Sequence, residues 1–250
     1  MPEGLAVTFE LPGVWAVLAS VAAAGLVYGF SGFGAALVYT PVAMLFIPAE
    51  VAIAAFSLSS LVSLFTVFPA AAQEADLKAT GLMILAAIVA TPLGVRALAV
   101  ADPDVVRSVV AVIVLVTLTA LVLGWRMTTK PTATRRVGIG AAAGIMGGMT
   151  GLAGPIVILF QLAGGDAAQR SRANLIIFLT VTSISFVPQL WLQGLLTPEA
   201  LWLGLLLMPV YAVATRLGKA LFRPEQELIY RRFAYLVIAV AGLAALPIWR

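Results

Sequence analysis

The chain has 250 residues, of which 62% are hydrophobic and 10% charged, and its mean hydropathy is +1.08. Soluble domains carry about a quarter charged residues, so this is the composition of an integral membrane protein. Cysteine and histidine are absent, which excludes disulfides and thiol chemistry and removes the commonest metal ligand and general base; no cofactor or metal is expected.

The amino terminus, MPEGLAVTFELPG, has no basic flank before its apolar stretch and carries Glu3 and Glu10, unlike a cleaved signal peptide. Apolar segments follow at 14–47, 49–71, 77–100 and 105–124. A polar linker, WRMTTKPTATRR at 125–136, lies near the midpoint, and further apolar segments occupy 137–165, 173–194, 200–217 and 228–248. A span needs about 20 residues, and a helix satisfies its own amides where water cannot, so the fold class is an all-α polytopic membrane bundle. Residues 1–124 form an N-terminal repeat, 125–136 a linker and 137–250 a C-terminal repeat of one membrane domain. The net charge of +4 sits in short loops between apolar runs, which fits membrane orientation and contact with lipid rather than nucleic acid.

An internal repeat supports the division. AGLVYGFSGFG at 24–34 matches AGIMGGMTGLA at 143–153 with a constant offset of 119, pairing Gly25, Gly29, Ser31 and Gly32 with Gly144, Gly148, Thr150 and Gly151. Eight simple crossings would put most Lys and Arg on the face opposite the linker, against the tendency of basic residues to stay cytoplasmic. If the first segment of each half instead enters and leaves on one side, broken at its glycines, every basic residue but Arg96, Arg107 and Arg250 falls on the linker side. Each half then crosses an odd number of times, and the two become inverted repeats, a plan common among secondary transporters.

A helix broken at membrane depth is tolerated where it lines a cavity. The free amides of the restarting helix then present a positive dipole end, about half a charge, to an anion. Candidate ligands are Gly29, Ser31, Gly32, Gly34, Gly148, Thr150, Gly151 and Gly154. Pro155 suits the first turn of the restarting helix because its missing N–H costs nothing there, and Pro41 is expected to kink the corresponding arm of the first half. Close helix packing is the competing explanation of these glycines.

GFSGFGAALVYTPVAMLF and GIMGGMTGLAGPIVILF, with TPLGVRALAVADP at 91–103 and MPVYAVATRLGKALFRP at 208–224, resemble the signatures of the sulfite exporter TauE/SafE family of membrane transporters. The resemblance covers nearly the whole chain. It implies export of a small sulfur-containing anion such as sulfite, thiosulfate, sulfoacetate or another organosulfonate across a bacterial inner membrane, and the distribution of Lys and Arg places the linker on the cytoplasmic side. The second signature lacks a run of three glycines, and Asn174 and Leu175 stand where many relatives carry a Thr-Ser pair, so the particular anion stays open.

The remaining polar residues are few. Every acidic residue lies in or beside a loop, leaving no member for a buried proton relay. An inside-negative potential favours anion export by about 2.3 kcal/mol per charge per 100 mV, enough to dispense with a coupled ion. Asn174 is a further candidate ligand, near the start of its helix. Arg96, Arg172, Arg216 and Gln189 are candidates for vestibule or gating roles, against snorkelling of the arginines and interhelical hydrogen bonding of the glutamine. The rivals are a permease or channel for another small anion and, through GFSG at 29–32, an intramembrane hydrolase. The hydrolase would need a base to activate Ser31, and the chain has no histidine. A homodimer is compatible with the sequence.

Overall fold

Lipid offers a backbone amide no partner, so the chain must pair its own. The computed structural model describes residues 13–125, 132–161, 168–221 and 227–245, and among these every regular element is a helix. In chain order they are α1 (Val14–Ser31), α2 (Ala35–Ala43), α3 (Ala49–Ser60), the short α4 (Ser63–Thr66) and α5 (Phe68–Ala71), α6 (Leu77–Val100), α7 (Pro103–Val122), α8 (Ala133–Thr150), α9 (Gly154–Gln161), α10 (Ala168–Leu192), α11 (Pro198–Leu221) and α12 (Glu227–Ala244). Six stretches among the described residues are long and apolar enough to cross a membrane: α1, Ala49–Thr66, α6, α7, Gln169–Leu192 and α11. The protein is a multi-pass membrane protein.

Helix starts follow from short polar residues that accept otherwise orphaned amides. Asp76 accepts from Ala79 N at 3.0 Å, Asp102 from Asp104 N at 2.8 Å and Thr197 from Ala200 N at 3.2 Å. Thr132 does the same for Arg135 N at 3.4 Å, so α8 begins at Ala133, inside the stretch expected to be linker. Its first turns carry Arg135 and Arg136, and this polarity conceals the cap from a hydropathy reading. The expectations for 126–131 and for the amino terminus lie outside the described residues. The run 49–71 is also divided, since α3 gives way at Leu61 to the single turns α4 and α5.

Two seams hold the bundle. Along α1 and α11, Gly25 lies against Tyr211 and Ala214, while Gly29 lies against Gly218 and Lys219, so the helices run parallel. A Cβ on Gly29 would fall 2.7 Å from Lys219 N and 2.9 Å from Gly218 Cα, a space only glycine can occupy. Along α6 and α8 the pattern recurs: Gly140 meets Met83, Gly144 meets Ala87, and Gly148 meets Thr91 and Gly94. The partner stretches read TPLG (91–94) and TRLG (215–218). The first long helix of each half of the chain thus packs backbone to backbone on a helix of the other half.

Side-chain contacts identify the two ends of the bundle. At one end the start of α10 meets both the last turn of α1 and the start of α6: Arg172 Nη2 donates to Gly29 O at 2.7 Å, and Asp76 N donates to Asn174 Oδ1 at 2.8 Å. Gln169 Nε2 donates to Glu74 Oε1 at 2.8 Å beside them. The start of α8 shares this end, since Gly140 lies at Met83 in the early turns of α6. At the opposite end Gly13 lies under the Phe46 ring, and Pro41 and Met44 approach Arg107 and Ala245. Residues 13 and 46, which bracket α1 and α2, therefore sit together.

Candidate functional site

Both glycine clusters end one helix and start another. Gly32 (φ 78°) and Gly151 (φ 74°) adopt the left-handed conformation at the C-termini of α1 and α8, and their amides donate to Tyr28 O and Gly147 O, both at 2.8 Å. Few residues other than glycine take that geometry cheaply. The hydroxyls before them shape the same turns. Ser31 Oγ lies 2.6 Å from Val27 O and 2.7 Å from Phe33 O and accepts from Phe33 N at 3.2 Å. Thr150 Oγ1 donates to Met146 O at 2.7 Å and accepts from Leu152 N at 3.2 Å.

The chain restarts at Ala35 and Gly154. Gly34 (φ 86°) precedes α2 without a capping side chain, and the helix gains its first internal bond only with Val38 N to Gly34 O, 3.2 Å. The helix itself therefore gives the amides of Ala35, Ala36 and Leu37 no acceptor. α9 starts with Gly154 and Pro155, as expected for a proline that brings no N–H to the first turn.

Both restarts line one cavity, with about 890 Å³ of atom-free space including its mouth. Gly34 to Leu37 contribute from one side and Gly151 to Pro155 from the other. Between them stand the hydroxyl residues Ser57, Ser60 and Ser63, Thr91 of α6, Thr180, Thr182 and Ser183 of α10, and the phenols Tyr28 and Tyr211. No Asp, Glu, Lys or Arg is among the described lining residues. Several of the hydroxyls rest on their own helix, as Ser57 Oγ does on Ile53 O at 2.7 Å and Ser60 Oγ on Ser57 O at 2.8 Å. Such a rotor can turn its hydrogen outward to a ligand. Thr180 Oγ1, next to the Tyr28 hydroxyl, is buried without a hydrogen bond of good geometry.

Aromatic rings stiffen one wall. Tyr39 stacks on Phe56 at 4.8 Å between centroids, Phe56 meets Tyr211 edge-on at 5.7 Å, and Tyr211 lies 6.1 Å from Tyr28. These contacts join α2, α3, α11 and α1.

Of the residues singled out in the sequence, Gly34, Gly151 and Gly154 lie on the cavity. Gly29 and Gly148 lie in the seams, Ser31 and Thr150 in the turns, and Gly32 beneath Arg172, whose Cγ would stand 2.6 Å from a Cβ there. Asn174 is buried at the end of the bundle, held to Asp76. Arg96 and Arg216 are exposed on α6 and α11. Gln189 Nε2 donates within its own helix to Ser185 O at 3.0 Å. Sequence reading passed over the cavity hydroxyls, although Ser57, Ser60 and Ser63 recur at the three-residue spacing that lines one helix face.

A family model described as "Sulfite exporter TauE/SafE" matches residues 17–245. Searches of curated proteins and of solved structures find no match. The chain belongs to the TauE/SafE sulfite exporter family, a family of membrane transporters of sulfur anions.

Proposed function

We propose that this protein exports a small sulfur-containing anion, sulfite or an organosulfonate, and holds it in the cavity between the restarts of α2 and α9. The observation that carries the reading is that two helix N-termini, one from each half of the chain, line the same uncharged cavity. Each presents unpaired amides and about half a positive charge, together close to one charge. Oxygen acceptors on the substrate match those amides and the hydroxyls of Ser60, Thr180 and Ser183. Among the described lining residues there is no ionised side chain, so the anion is held by spread-out dipoles and hydroxyls rather than by a single ion pair, which suits release. Ser31 and Thr150 enter as the residues that fold the two turns and so aim the amides.

In this reading the halves are inverted repeats. The α1–α2 pair starts and finishes at one end of the bundle, as the adjacency of Gly13 and Phe46 supports, and α8 starts from the other. Three further crossings in each half restore the opposite orientation, and the basic residues then favour a cytoplasmic linker in an inner membrane. Alternating access follows from moving the walls of the cavity about a fixed site.

The test is binding to purified protein. Sulfite, thiosulfate, sulfoacetate, taurine and sulfate are screened by thermal shift, and the best ligand is titrated against Ser60→Ala and Thr180→Val. Each variant is expected to weaken binding about tenfold, the worth of a hydrogen bond to a charged group. A ligand bound equally well by both variants would place the site elsewhere.

A further inference from the structure

The seams divide the molecule differently from the sequence. The most extensive helix contacts are α6 with α8, α1 with α11 and α3 with α11, and α10 packs widely on α6. Two three-helix bodies result, α1–α3–α11 and α6–α8–α10, and each takes two helices from one half of the chain and one from the other. The cavity lies between them: Tyr28, Ser57 and Tyr211 belong to the first body, Thr91, Gly144 and Thr180 to the second.

The glycine turns mark where these bodies touch near each end, and the two touches differ chemically. At the linker end, Gly32 of the first body meets Arg172 of the second, and the guanidinium donates to Gly29 O at 2.7 Å. At the opposite end, Gly151 of the second body faces Ile53 of the first, whose Cγ atoms would stand 3.5 Å from a Cβ there, an ordinary van der Waals distance. Ile53 and Arg172 stand at the repeat's own offset of 119 positions. The same place thus holds an aliphatic contact at one end and a charge-assisted hydrogen bond at the other. Gly29 O belongs to the last turn of α1, where carbonyls lack helix partners and the dipole is negative, so a cation is well placed there.

We infer that Arg172 is a positioning residue that sets the sidedness of access: its bond to the end of α1 closes the cavity toward the linker face, and that closure must break for the two cross-half bodies to part there. The inference rests on the transport reading for its purpose, but its test needs no substrate. Because the chain lacks cysteine, a single thiol at Ser60→Cys reports access to the cavity. Vesicles of each orientation receive a membrane-impermeant trimethylammonium methanethiosulfonate, and a Thr132→Cys control identifies the linker face.

Adding Arg172→Gln is expected to raise labelling from the linker face about tenfold, with no rise from the other face. Arg172→Lys, which can still donate to the carbonyl, is expected to stay near the native rate. Equal linker-face rates for Arg172→Gln and native protein would overturn the inference, as would an equal rise from both faces. Should Ser60→Cys fail to fold, Ser183→Cys lines the same cavity and replaces it. Failure of the transport reading would show separately, as no sulfur anion shifting the melting of the protein with Ser60 intact while Arg172 still controls the side of labelling.

Discussion

Gly148→Ala tests the seam on which the whole arrangement depends. A Cβ at this position would lie 2.5 Å from Thr91 O, about 1 Å inside the 3.4 Å at which ordinary contact begins, and 2.9 Å from both Gly94 Cα and Val95 N. All three obstacles are main-chain atoms of α6, so no side chain can swing aside, and α8 must retreat along its most extensive contact. Overpacking of this kind costs about 1 to 3 kcal/mol, and alanine's better helix propensity returns up to about 1 kcal/mol. Around Gly138 on the same helix and Gly81 on α6, the space that a Cβ would enter is open, with no neighbour within 4 Å, so alanine there gains propensity without a clash. Reversible unfolding in an SDS titration of the purified protein is expected to place Gly148→Ala about 2 kcal/mol below Gly138→Ala. Gly94→Ala faces the same seam, and the double variant is expected to lose less than the sum of the singles because both displace the same pair. Equal stability of Gly148→Ala and Gly138→Ala would refute the argument that backbone contact holds α6 to α8.

Three further outcomes follow from the turns and caps. Gly32→Ala is expected to destabilise more than Gly151→Ala in the same titration: both force a left-handed alanine, at about 1 kcal/mol, but the new Cβ at 32 would fall 2.6 Å from Arg172 Cγ, whereas that at 151 would come no closer than 3.5 Å to Ile53. Thr150→Val removes the acceptor of Leu152 N and is expected to cost about 1 kcal/mol, with Thr150→Ser near native. Asn174→Ala leaves Asp76 N without its acceptor at the end of the bundle and is expected to cost about 1 to 2 kcal/mol in the same titration.

Much of this protein is determined by local sequence. Apolar runs of span length specify helices because the backbone has no alternative in lipid, and a run of 34 residues at 14–47 broken by GFSGFG specifies an interruption because glycine alone reverses the chain cheaply. Both interruptions are found at those glycines. Pro155 falls in the first turn after the break, since its missing N–H costs nothing only there. Tertiary structure decided what each residue does once the chain is closed. Gly29 and Gly148 read as ligands along the chain, yet their place in the seams depends on Gly218 and Gly94, about 189 and 54 positions away. Arg172 similarly meets Gly29 O across 143 positions. The cavity hydroxyls were hidden because serine and threonine on a membrane helix can satisfy themselves on their own backbone, as Ser57 and Thr91 do. Helix periodicity therefore leaves open whether they face a neighbour, lipid or a hollow. Local patterns carry the cost of hiding amides, while a site between helices arises only from which helices meet, and that is settled by packing between residues far apart in the chain.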